Sequence, residues 1–402
     1  MRVCVFLDHR FTRTPDGSCW TSTVHPYSFW KRYLSVFDHV AVVGRVQDVP
    51  SEDGQGSRAD GEGVSFEALP HFVGPWQYLL RAAEARRAAR KSLGTSNAII
   101  LRVTCHTSTL VDGHLRRSGR PFGVEVINDP YDMFAPGTQD TWLRPYLRWS
   151  FPRRMRAQCL AACSVAYVTR DALQRRYPPA PGAFATYYGD GELPASAFRT
   201  RDWSTYDPGA LPRVVTVAPL GHLNKATDVL IEAMALSRRN GFDFRLDVVG
   251  EGRYRARLER QAFDAGLGER VLFAGDVPGP EAVRSYLDRA DLFALPSRQE
   301  GLPRAMIEAM ARGLPCVGSD AGGMPELLGP DEIVPRNNAG ALALKIREIL
   351  TDPKRMASLS TKNYQVARGY RDDVLEERRT EFFRSVLLKT QEWLKKQRMD
   401  GS

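Results

Sequence analysis

Two glutamates, Glu300 and Glu308, stand eight positions apart in the run Ser297-Arg298-Gln299-Glu300-Gly301-Leu302-Pro303-Arg304-Ala305-Met306-Ile307-Glu308-Ala309-Met310-Ala311. The apolar segment Leu292-Phe293-Ala294-Leu295-Pro296 before them predicts a buried strand end, and the run after them predicts a helix with almost no polar face. Pro303 suits the first helical position, where a missing amide costs nothing. Free amides around Gly301 and Leu302 then meet the strand's carboxyl end, where a helix start favours an anion. A helix this apolar has little reason to carry Glu308 unless something meets it. Together these residues predict a ligand site at a strand-to-helix turn.

Further polar groups follow other predicted strands. Lys225 comes after Val217-Ala218-Pro219-Leu220-Gly221 and near the start of an amphipathic helix, where a lysine opposes the helix dipole unless it points at an anion. Taken alone, such a lysine is more often simply solvated. Val249-Gly250-Glu251-Gly252-Arg253 runs from a strand into a Gly-x-Gly turn, and Asp320-Ala321-Gly322-Gly323 repeats the pattern after another strand. One glycine turn means little, but three strand ends with such turns or lone polar groups are harder to dismiss.

The elements that must position these groups alternate throughout the chain. Val3–Leu7, Val40–Val43, Ala98–Leu101, Phe122–Val126 and Val165–Val168 predict strands, with helices over Tyr78–Ser92 and, interrupted at Pro152, over Leu143–Ala162. Gly54–Gly63 reads as a polar loop that no core needs. A loop-rich linker over Arg199–Pro212 precedes a second series, with strands at Arg213–Ala218, Phe244–Val249, Val271–Ala274, Leu292–Leu295 and Pro315–Gly318 between helices. The pattern predicts an α/β protein of doubly wound parallel sheets. Its parts are 1–205, 206–370 and a helical 371–402 whose apolar residues need a partner surface.

The motifs resemble those of the family 4 glycosyltransferases. The resemblance rests on Glu300 and Glu308 as a Glu-x7-Glu pair, on Gly313-Leu314-Pro315 and Gly322-Gly323-Met324-Pro325-Glu326, on Lys225 with Asp228-Val229-Leu230-Ile231-Glu232-Ala233, and on Val249-Gly250-Glu251-Gly252 and Phe273-Ala274-Gly275. It covers roughly Val214 to Glu326. It implies a GT-B fold of two facing Rossmann-like domains, the last helix crossing back onto the first, and retaining transfer of a hexose-type sugar. The donor would be a UDP- or GDP-linked sugar, used without metal or other cofactor. Lys225 would contact the diphosphate, Glu308 the ribose hydroxyls, and Glu300 the donor sugar, helped by amides near Gly301, Leu302 and Pro303. Gly250, Gly252 and Arg253 complete the donor side. Pre-placed amides and a lysine at the departing diphosphate stabilise a transition state more than a ground state.

Departures from the family pattern keep alternatives open. Leu220 stands where the family often has an arginine, leaving Arg253, Arg298 or Arg304 to supply that charge. In the first domain the best match to a glycine-rich loop is Pro15-Asp16-Gly17-Ser18-Cys19-Trp20-Thr21, and the family's histidine is replaced in Glu125-Val126-Ile127-Asn128-Asp129-Pro130-Tyr131-Asp132. Asp129 is then a candidate catalytic-side group, and Gly17, Asp129 and Asp132 are candidate acceptor-side residues; a turn-forming aspartate beside Pro130 is the plainer reading. A catalytically silent nucleotide-sugar-binding protein and a nucleotide-sugar epimerase of the same fold are the competing functions.

Composition bounds the rest. The 402 residues are 43% hydrophobic and 26% charged, with no bilayer-spanning apolar run. Six scattered cysteines (Cys4, Cys19, Cys105, Cys159, Cys163, Cys316) read as reduced thiols of a cytoplasmic protein. The net charge of +9 fits an anionic substrate, and no nucleic-acid-binding signature accompanies it. Arg144–Arg156 interleaves arginines with aromatics. It is either a solvated helix face with core aromatics or a peripheral contact with an anionic membrane at the inner face, where a lipid-linked acceptor would wait. The acceptor class, whether glycan, lipid-linked or small molecule, stays open.

Overall fold

The computed structural model describes residues 1–22, 24–51, 56–94, 97–103, 106–135, 142–191, 193–207 and 209–400. Cys105 and residues 54–55 of the expected Gly54–Gly63 loop lie outside them. The chain divides into two compact units, one of Met1–Pro130, Trp149–Tyr188 and Glu376–Ser402, the other of Tyr131–Arg148 and Gly189–Leu375.

The first unit is built on strands β1 (Arg2–Arg13), β2 (Cys19–Thr21), β3 (His39–Asp48), β4 (Ser57–Arg58), β5 (Val64–Leu69), β6 (Ala98–Val103), β7 (Gly123–Val126), β8 (Ser164–Tyr167) and β9 (Phe184–Tyr187). Seven of them pair in parallel in the order β5-β3-β1-β6-β7-β8-β9. Val3 to Phe6, Val40 to Val43 and Ala98 to Leu101 are fully buried, as expected where helices cover both faces of a parallel sheet. The short strand β2 pairs antiparallel with the far end of β1, and β4 pairs antiparallel with β2. Part of the expected Gly54–Gly63 loop is therefore structured, contrary to its reading as a stretch no core needs: Ser57–Arg58 is β4, Ala59 is buried, and the Tyr27 ring lies on Gly61 where any Cβ would strike it.

Glu125 sits in the core of this unit, and its charge is matched there. Its carboxylate accepts from Tyr33 (2.7 Å), Arg102 (2.8 Å) and Tyr188 (2.6 Å). The last helix, Asp372–Asp400, buries Phe382, Phe383 and Val386. Phe383 stacks on Tyr33 at 4.5 Å, and a Cβ on Gly123 would meet Val386 at 2.6 Å. Gly123 is thus a glycine because a helix lies on it. The helix Arg144–Ala161 runs unbroken through Pro152, contrary to the interruption expected there. No described helix is long and apolar enough to cross a membrane.

The second unit has strands β10 (Arg213–Val217), β11 (Arg245–Val249), β12 (Val271–Gly275), β13 (Leu292–Leu295), β14 (Cys316–Ser319) and β15 (Ile333–Val334), all parallel, in the order β12-β11-β10-β13-β14-β15. The order reverses at β10: the chain builds outward to β12, then returns to add β13 on the other side. Loops leaving neighbouring strands at such a point turn to opposite faces and open a crevice, the usual ligand position in open α/β sheets.

Candidate functional site

The crevice at the carboxyl ends of β10 and β13 holds the residues singled out by type and spacing. Lys225 lies in a single 3-10 turn, Leu223–Lys225, that follows β10. The next residue, Ala226, is buried and left-handed at φ 56° before the helix Thr227–Arg239 begins. A left-handed non-glycine costs free energy, so the packing around it must impose this turn. The turn delivers the Lys225 ammonium to Glu300, with Nζ 2.7 Å from Oε1 and 2.8 Å from Oε2. Ser297, fully buried, donates to Oε1 as well, at 2.6 Å. Glu300 is therefore a nearly buried carboxylate held by one cation and one hydroxyl.

The loops are fixed by backbone contacts that tolerate only glycine. Gly250 and Gly252 have φ of 141° and 155°, and a Cβ on either would collide with backbone of Ala218 or of Leu220 and Gly221. Hydrogen bonds from Leu220 to Glu251 (2.8 Å) and from Tyr254 to Leu220 (3.1 Å) zip the loops after β10 and β11 together. Gly322, at φ 52°, lies against the Glu300 carbonyl in the same way, while the Gly323 amide donates to the Gly301 carbonyl at 2.7 Å. The glycine turns thus shape the loops that carry Lys225 and Glu300.

Pro303 is the N-cap of the helix Arg304–Ala311, with extended ψ of 99°, one position earlier than the first-turn place expected for it. Among the described residues, the amides of Gly301, Leu302, Arg304 and Ala305 donate to no protein acceptor, which leaves an anion-seeking cluster at the helix start. Glu308 lies on that helix, half-buried, and its carboxylate takes part in no hydrogen bond or ion pair among the described residues. Burial raises its pKa above the ordinary glutamate value, an effect that Arg304 and Arg284 partly offset.

The three arginines offered in place of Leu220 differ sharply. Arg298 is already used: it grips the Asp228 carboxylate with two bonds, at 2.8 and 2.7 Å, and also donates to Asn337 and the Leu223 carbonyl. Nothing in their spacing marked Asp228 and Asn337 as partners of Arg298, since they stand 70 and 39 positions from it along the chain. Arg304 is exposed at the helix start and its stem packs on Gly191. Arg253 is exposed, lies over the Tyr254 ring at 5.0 Å, and pairs with no carboxylate among the described residues. Leu220 itself is buried at 2% exposure.

The candidates of the first unit fare differently. Pro15–Thr21 is no strand-to-helix loop: Gly17, at φ 86°, is the turn of a hairpin between β1 and β2. Asp16 accepts from Thr14 and Ser18 there, which pulls its carboxyl down to about 2. Asp129 is buried, with Arg176 on one oxygen and Tyr177 on the other at 2.5 Å. Its carboxylate holds the segment after β8 in place, a structural role beside the catalytic-side one expected of it. Asp132 lies on the short helix Pro130–Met133, half-buried.

Comparison with known proteins agrees with the geometry. Residues 208–366 match the glycosyl transferases group 1 family. The chain is 23% identical to protein CapJ of Staphylococcus aureus over 85% of its own length and 88% of CapJ. It is 33% identical over 40% of its length to the GDP-mannose-dependent alpha-(1-6)-phosphatidylinositol monomannoside mannosyltransferase of Mycolicibacterium smegmatis, of which it covers 44%. Among solved structures, sucrose-phosphate synthase of Thermosynechococcus elongatus superimposes with a TM-score of 0.68 at 17% identity, over 96% of this chain and 99% of that one. Residues 208–366, with the Lys225–Glu300 pair and the free Glu308 at their centre, are thus a group 1 glycosyl transferase domain on a chain of the GT-B fold.

Proposed function

We propose that the protein transfers a hexose-type sugar from a nucleoside diphosphate sugar to an acceptor hydroxyl with retention at the anomeric carbon. The observation that carries this reading is the pairing of Lys225 with Glu300 across the β10–β13 crevice. A diphosphate entering beside the free amides of Gly301 and Leu302 would draw the ammonium of Lys225, and Glu300 would exchange that cation for the hydroxyls of the donor sugar. Glu308, which has no protein donor among the described residues, suits two vicinal ribose hydroxyls. Arg253 supplies the second positive charge in place of Leu220, since Arg298 is bound to Asp228 and Arg253 lies beside Leu220 in the zipped loops.

The chemistry then asks little of the protein beyond charge placement. As the bond between the anomeric carbon and the diphosphate oxygen lengthens, negative charge grows on the leaving oxygen. Lys225, once drawn from Glu300 to the diphosphate, would stabilise that charge together with Arg253 and the free amides at the start of the Arg304–Ala311 helix. Some relatives are named as an amylovoran biosynthesis glycosyltransferase and putative colanic acid biosynthesis glycosyltransferases, and a polysaccharide or lipid-borne acceptor fits that company. The test is turnover with a panel of UDP- and GDP-sugars, following nucleotide release and anomeric configuration of the product. Tight donor binding without release under every acceptor condition would favour a silent binding protein. An inverted product would exclude retention.

A further inference from the structure

The helix Gly74–Ser92 of the first unit has its faces the wrong way round for a helix in water. Its inner face is small: Ala85 and Ala89 are fully buried against the sheet. Its outer face carries Trp76, Leu79 and Leu80, exposed at 71, 62 and 86%, with Val73 at the N-cap exposed at 50%. Trp76, Leu79 and Leu80 are spaced at i, i+3 and i+4 and so share one face of the first two turns, with Val73 three positions before Trp76 at the N-cap. Isolated exposed apolar residues are ordinary, but a tryptophan and two leucines together on one helix face call for a partner.

What lies next on the same face says which partner. Ala83 is followed by Arg86, Arg87, Arg90 and Lys91, all exposed, and none pairs with a carboxylate among the described residues. An apolar wedge in the first turns with a cationic continuation is the pattern of an interfacial helix: rings and leucines enter the acyl boundary while guanidinium groups meet anionic head groups. A second copy of this chain would bring like charges together. The helix Arg144–Ala161, by contrast, covers its exposed Trp149 with its own Arg153 at 4.6 Å and buries Phe151, Met155 and Cys159. We propose that the outer face of the Gly74–Ser92 helix docks the protein on an anionic lipid bilayer.

The docking face also borders a cavity. Gln77, Leu80, Arg81 and Glu84 wall a space of about 710 Å³ together with Arg13 and His71, at the carboxyl ends of β3 and β5. A sugar or phosphate head group standing on the bilayer would find this mixed polar cavity beside it. If the transferase reading holds, the acceptor is accordingly one carried on a membrane lipid; docking itself does not depend on that reading.

Co-sedimentation of the full chain with vesicles of phosphatidylcholine alone, or of phosphatidylcholine with phosphatidylglycerol, tests the proposal. The expected result is binding to the anionic vesicles only, weakened by salt. Binding should fall at least about tenfold in Trp76→Ser/Leu80→Ser and in Arg86→Glu/Arg87→Glu/Arg90→Glu. A variant of the other helix, Trp149→Ser/Arg153→Ser, should bind as the wild type does. Brominated lipid should quench the fluorescence that Trp76→Phe removes. UDP and GDP titrations of the same preparations confirm that the exposed-face variants are folded, and they test the donor site separately from docking. Failure of the wild type to bind anionic vesicles, or undiminished binding by Trp76→Ser/Leu80→Ser, overturns the proposal. So does a concentration-dependent dimer that this variant abolishes, which would give the face to a second copy.

Discussion

The ammonium of Lys225 bridges both oxygens of Glu300, at 2.7 and 2.8 Å, across the point where the strand order of the second unit reverses. Cation and carboxylate neutralise each other in the free protein, so on the proposed reading donor binding would be an exchange of partners. The attraction of Lys225 for a diphosphate would then be reduced by what it leaves behind, and a bare anion that offers Glu300 no hydroxyls would be disfavoured.

Lys225→Ala should accordingly lower both stability and nucleotide affinity, for separable reasons. The substitution leaves Glu300 nearly buried with only Ser297 as a side-chain donor, a loss of about 1–3 kcal/mol in unfolding free energy. Adding Glu300→Gln removes the stranded charge and should restore most of that stability without restoring affinity for UDP or GDP. Denaturant unfolding and calorimetry on the single and double variants check both halves. Equal stability of the two variants would mean that the pair does not stabilise the free enzyme.

Glu308 predicts the opposite combination. Burial raises its pKa, so the folded state holds the Glu308 proton more tightly than the unfolded state does. Its favourable contribution is complete below the unfolded value and is lost as pH rises through the folded one. Above the folded value the ionised carboxylate is a cost to the fold, one that a ribose contact would offset on the proposed reading. Glu308→Gln should therefore raise the melting temperature at about pH 7 and change it much less near about pH 4, while nucleotide affinity drops. A melting temperature shifted equally at both values would show that the carboxylate's charge is not what burdens the fold.

Most of the second unit was legible because each of its cues is local. A buried strand shows as an apolar run, a helix start as Pro303 followed by Ala305-Met306-Ile307, and a tight turn as Gly250 or Gly322. The Glu300–Glu308 spacing and Lys225 carried the site in the same way. The clamp of Arg298 on Asp228 was not legible, since nothing local to either residue announces a partner so far along the chain. In the first unit the cues misled for a related reason. Gly17 marks a turn whether a helix or a strand follows, and Asp129 beside Pro130 gives no sign that Arg176 and Tyr177 fold onto it. The outward-facing Trp76, Leu79 and Leu80 were not legible as exposed either, because an apolar stripe normally marks the buried side of a helix, and here alanines take that side.

The glycine turns make a third prediction. Gly252→Ala and Gly322→Ala each add a methyl group that must displace backbone, at φ values that side chains avoid. Each should cost about 2–4 kcal/mol. Gly322→Ala pushes directly on the Glu300 carbonyl, so it should also weaken nucleotide binding beyond its effect on the folded fraction. By contrast, Gly241→Ala, at a helix end with open space around it, should leave binding untouched. Thermal unfolding with and without UDP or GDP separates the two effects.

The position of Leu220 supplies the last prediction, which concerns how a site recovers a lost charge. Restoring an arginine there looks like an improvement on paper, but Leu220 is buried against the Gly252 backbone. Leu220→Arg must either bury a guanidinium without a carboxylate or force the zipped loops apart, and should cost about 3 kcal/mol or more. Arg253→Ala removes an exposed side chain with no ion pair among the described residues, so stability should barely change. If Arg253 is the second cation, UDP or GDP affinity in that variant falls by about ten- to a hundredfold, the value of a charge-assisted hydrogen bond to phosphate. Arg253→Lys should keep most of it, because a point charge suffices for a diphosphate that Lys225 and the helix-start amides already orient. Unchanged affinity in Arg253→Ala would return the role to Arg304, whose position at the start of the Arg304–Ala311 helix makes Arg304→Ala the next variant to titrate.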